Sequence, residues 1–178
     1  MTKTKYLTRT AILLALSLLF QSLRLIPALT AISQPIVGTL VNLTLIVAAG
    51  VVGIWSSIFV GICTPIVARL QGQLGQDLFI PVVALGNIVY GLVFYYLKKV
   101  NNILGVTVGS IAKFALLFFA MPFVFGTFIQ STLPEAQASK MLAAIISNFG
   151  NPIQLITAII GGSLALIIIK TLKRKIPQ

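Results

Sequence analysis

Amide and tyrosine side chains inside otherwise apolar stretches are the residues of this chain with the most evident chemistry. An amide both donates and accepts hydrogen bonds, so in hydrocarbon it must find a partner or line a wet cavity. Several such residues fall toward one end of the predicted helices, where they could form a pocket for a neutral, hydrogen-bonding small molecule. The candidate substrate-binding residues are Gln34, Asn42, Asn87, Tyr90, Asn148, Asn151 and Gln154.

The alternative is that these side chains only bond one helix to another. For any single residue both interpretations stay open. Tyr90 follows Asn87 by close to one helical turn and could share its face. Gln34 lies in the segment 27–35, which is predicted to be a loop because it holds two prolines. The clustering of the whole set toward one end favours a pocket.

Catalytic groups are scarce. The chain has no histidine and two acidic residues, Asp77 and Glu135, which fall in separate predicted loops. Acid–base catalysis, a catalytic triad and a metal site therefore lack their parts, and no phosphate-binding loop is present. Cys63 has no cysteine partner. We expect no enzyme, no cofactor and no metal, and instead a passive binder or channel, or a subunit powered by another protein.

The composition predicts an all-α integral membrane protein. Hydrophobic residues make up 58% of the 178 residues and charged residues 8%, far below the quarter that soluble domains carry. The length allows one domain, residues 1–178, embedded in the lipid bilayer with six spans. The predicted spans cover about 7–26, 36–52, 54–68, 79–97, 103–128 and 152–169. The polar segment 134–147 is expected to form either a surface helix or a lid.

Charge placement predicts that both termini are cytoplasmic. The net charge is +11, and most cations lie at predicted helix ends, which indicates topology rather than nucleic-acid binding. With the N-terminus inside, the cytoplasmic side holds Lys3, Lys5, Arg9, Lys98, Lys99, Lys170, Lys173, Arg174 and Lys175. Lys113 is expected to snorkel to the same side. Arg24, Arg69 and Lys140 are left outside, where they could attract an anion.

Three local patterns resemble a known transporter family. Ala11-Ile-Leu-Leu-Ala15 places two small residues on one face of the first span, after Thr8-Arg9-Thr10. Gln34-Pro35-Ile36-Val37-Gly38 and Ile80-Pro81-Val82-Val83-Ala84-Leu85-Gly86-Asn87 lie at the second and fourth spans. With the length and topology, the chain resembles an S component, the substrate-binding membrane subunit of energy-coupling factor (ECF) vitamin transporters.

This resemblance implies a division of labour. An S component of a bacterial plasma membrane captures a vitamin-like molecule from outside and docks on a coupling membrane subunit that carries two cytoplasmic ATPases. Ala11 and Ala15 match the family's docking motif. ATP turnover then topples the S component and presents the substrate to the cytoplasm.

The substrate class is narrowed by the aromatic residues and by the missing histidines. The family's metal-binding members use histidine-rich N-terminal ligands, which this chain lacks. Phe123, Phe125, Phe128 and Phe149 could sandwich a small ring. Pyridoxine or a similar small heteroaromatic is the expected substrate. The rival hypotheses are a small membrane scaffold and a self-sufficient oligomeric carrier or channel.

Overall fold

The computed structural model describes residues 2–26 and 30–175, and none of these residues lies in a β-strand. The described α-helices are α1 (Lys3–Ser22), α2 (Thr30–Val47), α3 (Ile54–Leu70), α4 (Phe79–Leu97), α5 (Asn102–Val124), α6 (Glu135–Phe149) and α7 (Ile153–Lys175). Helices α1 to α5 and α7 overlap the six predicted spans. Helix α6 occupies the polar segment that was expected to be a surface helix or a lid.

Helix α2 starts earlier than the sequence indicates. The segment 27–35 was expected to be a loop because of its two prolines, but α2 begins at Thr30 and contains Pro35. The proline ring costs the helix one backbone hydrogen bond without ending it here. The loop prediction is therefore wrong for residues 30–35, while residues 27–29 lie outside the described part of the chain.

A π-helical turn and one glycine join α2 to α3. The last turn of α2 widens into a π-helix over Ala48–Val52, and α3 starts directly after Gly53. Gly53 has a φ of 143°, a conformation that a residue with a side chain rarely adopts. The Lys98 ammonium donates a 2.6 Å hydrogen bond to the Ala49 carbonyl, which the widened turn leaves available.

Six helices form a closed ring. Each packs on two neighbours in the order α1, α3, α4, α5, α7, α2 and back to α1. Helix α6 lies outside the ring at the end remote from the described termini, where it contacts α5, α7 and the connection between α3 and α4.

The polarity of the described surface is that of a membrane protein. Large apolar side chains point outward, such as Leu7, Trp55 and Phe119, which are 67%, 72% and 71% exposed. Small polar side chains such as Ser17 and Thr44 are buried between helices, where they bond each other at 3.0 Å. Water would penalise this arrangement and lipid favours it.

Helix lengths fit the same conclusion. Within the described residues, five helical segments are long and apolar enough to cross a membrane: Lys3–Leu25, Pro35–Val52, Phe79–Leu97, Asn102–Thr132 and Glu135–Leu172. Helix α3, with 17 residues, is a shorter apolar helix near the lower limit for a span. The prediction of an all-α membrane protein is confirmed. The count of six spans and the cytoplasmic termini stay predictions.

Two apolar clusters fill most of the interior. The first lies in the half of the ring near the termini and includes Leu45, Val60, Tyr90, Phe94 and Ala165. The second joins α4, α5 and α6 in the other half and includes Phe79, Leu117, Met121, Phe125 and Ile145. Beside the second cluster, between α1, α2 and α3, the interior is polar.

Candidate functional site

A cavity of about 120 Å³ occupies this polar region, at the end of the ring opposite the described termini. All six ring helices and the last turn of α6 contribute to its wall, together with the connection between α3 and α4. The polar lining residues are Gln21, Arg24, Asn42, Thr64, Gln73, Asn87, Lys113, Asn148 and Gln154. The apolar lining residues are Val37, Gly38, Val41, Pro65, Ala68, Leu74, Val83, Leu117 and Phe149. Residues with polar side chains therefore make up half of the lining residues.

Lys113 lies at the centre of the hydrogen bonding. It is only 6% exposed, and its Nζ donates to Oδ1 of Asn42 at 2.6 Å and to Oδ1 of Asn87 at 2.8 Å. The same nitrogen lies 5.6 Å from the ring centre of Tyr90. Three helices, α2, α4 and α5, are thereby held around one amine.

A chain of hydrogen bonds runs from this amine to α1. Asn87 Nδ2 donates to the Gly61 carbonyl at 3.1 Å and to Thr64 Oγ1 at 3.2 Å. Gln21 Nε2 donates to the carbonyl of Thr64 at 2.9 Å. Because Gln21 and Thr64 also line the cavity, the helices that build the wall are bonded to one another at the site itself.

Arg24 adds a second cationic side chain. It follows α1 in a short 3-10 helix, Leu23–Leu25, and lines the cavity. Its Nε atom is buried and has no hydrogen-bond acceptor among the described residues. An unused buried donor is uncommon in proteins and has a free-energy cost until an acceptor arrives.

Four of the seven predicted substrate-binding residues line the cavity. Asn42 and Asn87 hold Lys113, as above. Asn148 at the end of α6 and Gln154 at the start of α7 flank the connection between these helices. Gln154 Nε2 donates to the Asn148 carbonyl at 2.9 Å. These four share one wall although more than a hundred positions separate Asn42 from Gln154.

The other three predicted residues do not contribute a described side chain to the wall. Tyr90 is fully buried beneath Lys113, and its hydroxyl donates to the Ala158 carbonyl at 2.7 Å. Asn151 is exposed and accepts a 3.1 Å hydrogen bond from the backbone N–H of Ile153 at the start of α7. Gln34 lies in α2, but its side chain falls outside the described part of the structure.

The position of Lys113 differs from the prediction that its side chain snorkels to the cytoplasmic side. It instead points into the protein and bonds two amides. The length of the helix explains the difference. Lys113 follows Asn102, the first residue of α5, by eleven positions, which is a rise of roughly 16 Å. A lysine side chain is too short to reach the membrane surface from that depth. Gln73 and Thr64 were missed because nothing in their spacing marks them.

The expected aromatic sandwich is reduced to one ring. Phe149 lines the cavity, but Phe123 and Phe128 are 66% and 58% exposed on the outside of the bundle. Phe125 is buried in the second apolar cluster. The expectation failed because residues two apart, such as Phe123 and Phe125, fall on nearly opposite sides of a helix.

Helix α1 presents a smooth apolar strip to the outside. Ala11 and Ala15 are both exposed and lie one turn apart, next to Leu7, Ile12 and Leu19. The opposite face of α1 is polar: Thr10 donates to Ser56 at 3.0 Å, and Ser17 and Gln21 bond α2 and α3. The helix thus turns its polar face inward and leaves its small residues accessible.

Comparison with known proteins agrees with this architecture. The family described as "ECF transporter, substrate-specific component" matches residues 5–175, nearly the whole chain. No curated protein and no solved structure matches it. Since the family match spans every helix that builds the cavity, the chain belongs to the family of substrate-specific components of ECF transporters.

Proposed function

We propose that this S component captures a vitamin-like small molecule from the outer side of a bacterial plasma membrane, in the cavity around Lys113. The observation that supports the proposal is the cavity itself, a polar chamber at the end of the bundle opposite the termini. Charge placement predicts that this end of the bundle faces outside. A scaffold would need the smooth face of α1 but no such chamber.

The chamber suits a small ligand. Its volume of about 120 Å³ is below the roughly 300–1,000 Å³ of sites for drug-sized molecules. Phe149 offers one ring face, and the amides offer donors and acceptors. Pyridoxine or a similar small heteroaromatic stays the proposed substrate class, and a larger ligand would require the wall to open.

Delivery is proposed to depend on partners. The described chain places Ala11 and Ala15 on an exposed face, where small side chains let a second helix approach closely. We assign this face to docking on the coupling membrane subunit that carries two ATPase subunits. Toppling driven by ATP would then turn the cavity toward the cytoplasm, so the chain itself needs no nucleotide site.

Docking is tested by adding bulk to the small residues of α1. Ala11→Trp and Ala15→Trp should prevent co-purification with the coupling subunit and the ATPases and abolish uptake. Both positions face outward, so folding and substrate binding in detergent should be unchanged. Ser163→Trp is the matched control, because Ser163 is a small exposed residue on α7, away from this face. Intact assembly and uptake in the Ala11 and Ala15 variants would contradict the docking proposal.

A further inference from the structure

Among the described residues, two basic side chains and no acidic one line the cavity. Lys113 and Arg24 both line it. The partners of Lys113 are two neutral amide oxygens, of Asn42 and Asn87, and the face of the Tyr90 ring. An ammonium carries three hydrogens, so the two amides leave one N–H of Lys113 without an oxygen acceptor among the described residues.

No side chain of this protein can neutralise these cations. The full sequence has two acidic residues, Asp77 and Glu135. Asp77 pairs with Arg69 at 2.5 Å, and its side chain is 79% exposed. Glu135 is exposed in the first turn of α6 and does not line the cavity. Burying a cation without a counter-charge is costly, and ionisable groups inside membrane proteins commonly mark ligand sites.

Arg24 points to the same conclusion independently. Its Nε donor is buried and unused among the described residues, so a ligand acceptor would remove an existing free-energy cost. Guanidinium and ammonium groups together are the usual partners of carboxylates and phosphates.

We propose that the substrate of this S component carries an anionic group, a carboxylate or a phosphate, that Lys113 and Arg24 bind. The inference rests on the proposed capture function and narrows it: among small heteroaromatics it favours acidic or phosphorylated compounds over neutral pyridoxine. The amide oxygens of Asn42 and Asn87 hold the Lys113 ammonium in place without neutralising it, so its charge stays available to the ligand.

The test compares acids with their neutral counterparts on the purified full-length protein. Binding is measured by thermal shift and native mass spectrometry for nicotinate and nicotinamide, pantothenate and pantothenyl alcohol, biotin and biotin amide, and pyridoxine 5′-phosphate and pyridoxine. We expect the anionic member of at least one pair to bind, with its neutral counterpart weaker by about tenfold to a hundredfold. The carboxylate and phosphate pairs distinguish the two kinds of anion.

Variants assign the preference to the named residues. Lys113→Met and Arg24→Gln should each remove most of the discrimination between acid and neutral compound. Arg69→Gln is the control, because Arg69 pairs with Asp77 and does not line the cavity, and it should leave the discrimination unchanged. Asn42→Asp gives Lys113 an internal carboxylate at the position of its present acceptor, so anion affinity should fall while the ligand-free protein melts at a higher temperature.

Each result decides one claim. Equal or tighter binding of the neutral members overturns the anion proposal and leaves the capture function standing. A preference for acids that persists in Lys113→Met, Arg24→Gln and Asn42→Asp also overturns it, because other residues would then bind the anionic group of the ligand. If no compound of any charge binds, the proposed capture function fails and the anion proposal falls with it.

Discussion

At the scale of single residues, the site is organised by one buried amine and its amide partners. Lys113 bonds Asn42 and Asn87, and Asn87 passes the bonding on to Thr64 and Gly61. Buried polar networks stabilise a structure when each member is satisfied and destabilise it when one member is removed. The residues of this network should therefore affect stability and binding together.

Asn87 is the residue that tests this coupling. Asn87→Ala removes an acceptor from Lys113 and two donor bonds to α3, so we expect a loss of about 1–3 kcal/mol in stability and at least a tenfold loss in substrate affinity. Asn151→Ala is the control: it loses only the cap of α7, worth about 1 kcal/mol, and should bind normally. Thermal unfolding and ligand titration measure both quantities. Unchanged affinity in Asn87→Ala would show that the network is only structural.

Substitution of Tyr90 should lower stability without lowering substrate affinity, although the sequence analysis groups Tyr90 with Asn87 as a binding residue. Tyr90→Phe removes a 2.7 Å hydrogen bond to α7 but no group of the cavity wall. We expect a stability loss of about 1 kcal/mol and less than a twofold change in affinity. Tyr96→Phe, at a hydroxyl on a 60% exposed residue, should change neither. A large loss of affinity in Tyr90→Phe would contradict this and show that the Tyr90 hydroxyl contributes to substrate binding.

At the scale of helices, α2 and α7 approach each other closely at Gly161, the first of two paired glycines in α7. A Cβ placed on Gly161 would collide with the backbone oxygen of Thr39, and one on Gly162 would collide with the Tyr90 hydroxyl. The contact brings α2 and α7 together immediately beside Asn42, so its precision bears on the position of an acceptor of Lys113.

Gly161→Ala should therefore be strongly destabilising. The added methyl group meets backbone that cannot move without separating α2 from α7, so we expect a lower melting temperature and lower expression. Gly126→Ala is a matched glycine control: a Cβ there meets only the tip of Gln130 at 3.9 Å. Fluorescence-detected size exclusion and thermal unfolding in detergent compare the two. Equal stability would mean that α2 and α7 are not packed this closely.

Much of this architecture could be predicted from the sequence, and the reasons are physical. Apolar runs located the helices, because a segment that crosses lipid must be apolar. Cations marked the ends of these runs, because Lys and Arg concentrate in the loops beside a span. The sequence also indicated four amides that line the cavity, because an amide in an apolar run needs a partner. They are Asn42, Asn87, Asn148 and Gln154. Lys113 and Arg24 were not assigned to the pocket, since counting cations treats each as a surface charge. Tyr90 was assigned to it because spacing along one helix does not show which neighbour a hydroxyl meets.

At the scale of the whole molecule, orientation decides the direction of transport. The cavity and the described ends of the chain lie at opposite ends of the ring, so capture from outside requires cytoplasmic termini. In a Cys63→Ser background, Thr4→Cys should resist a membrane-impermeant maleimide on intact cells and react after lysis. Ser139→Cys, exposed on α6, should react on intact cells. The reverse pattern would place the cavity inside and contradict capture from the outer side.

The central claim is that this chain captures a small molecule and that its partners supply the energy. The most direct test measures uptake of radiolabelled compounds, the acid and neutral pairs of the binding test, into proteoliposomes that contain the chain together with a coupling subunit and two ATPases. We predict that one compound accumulates only when ATP is present on the cytoplasmic side, and that Asn87→Ala and Ala11→Trp each abolish the accumulation. Accumulation by the chain alone, without ATP or partners, would contradict the account and identify a self-sufficient carrier.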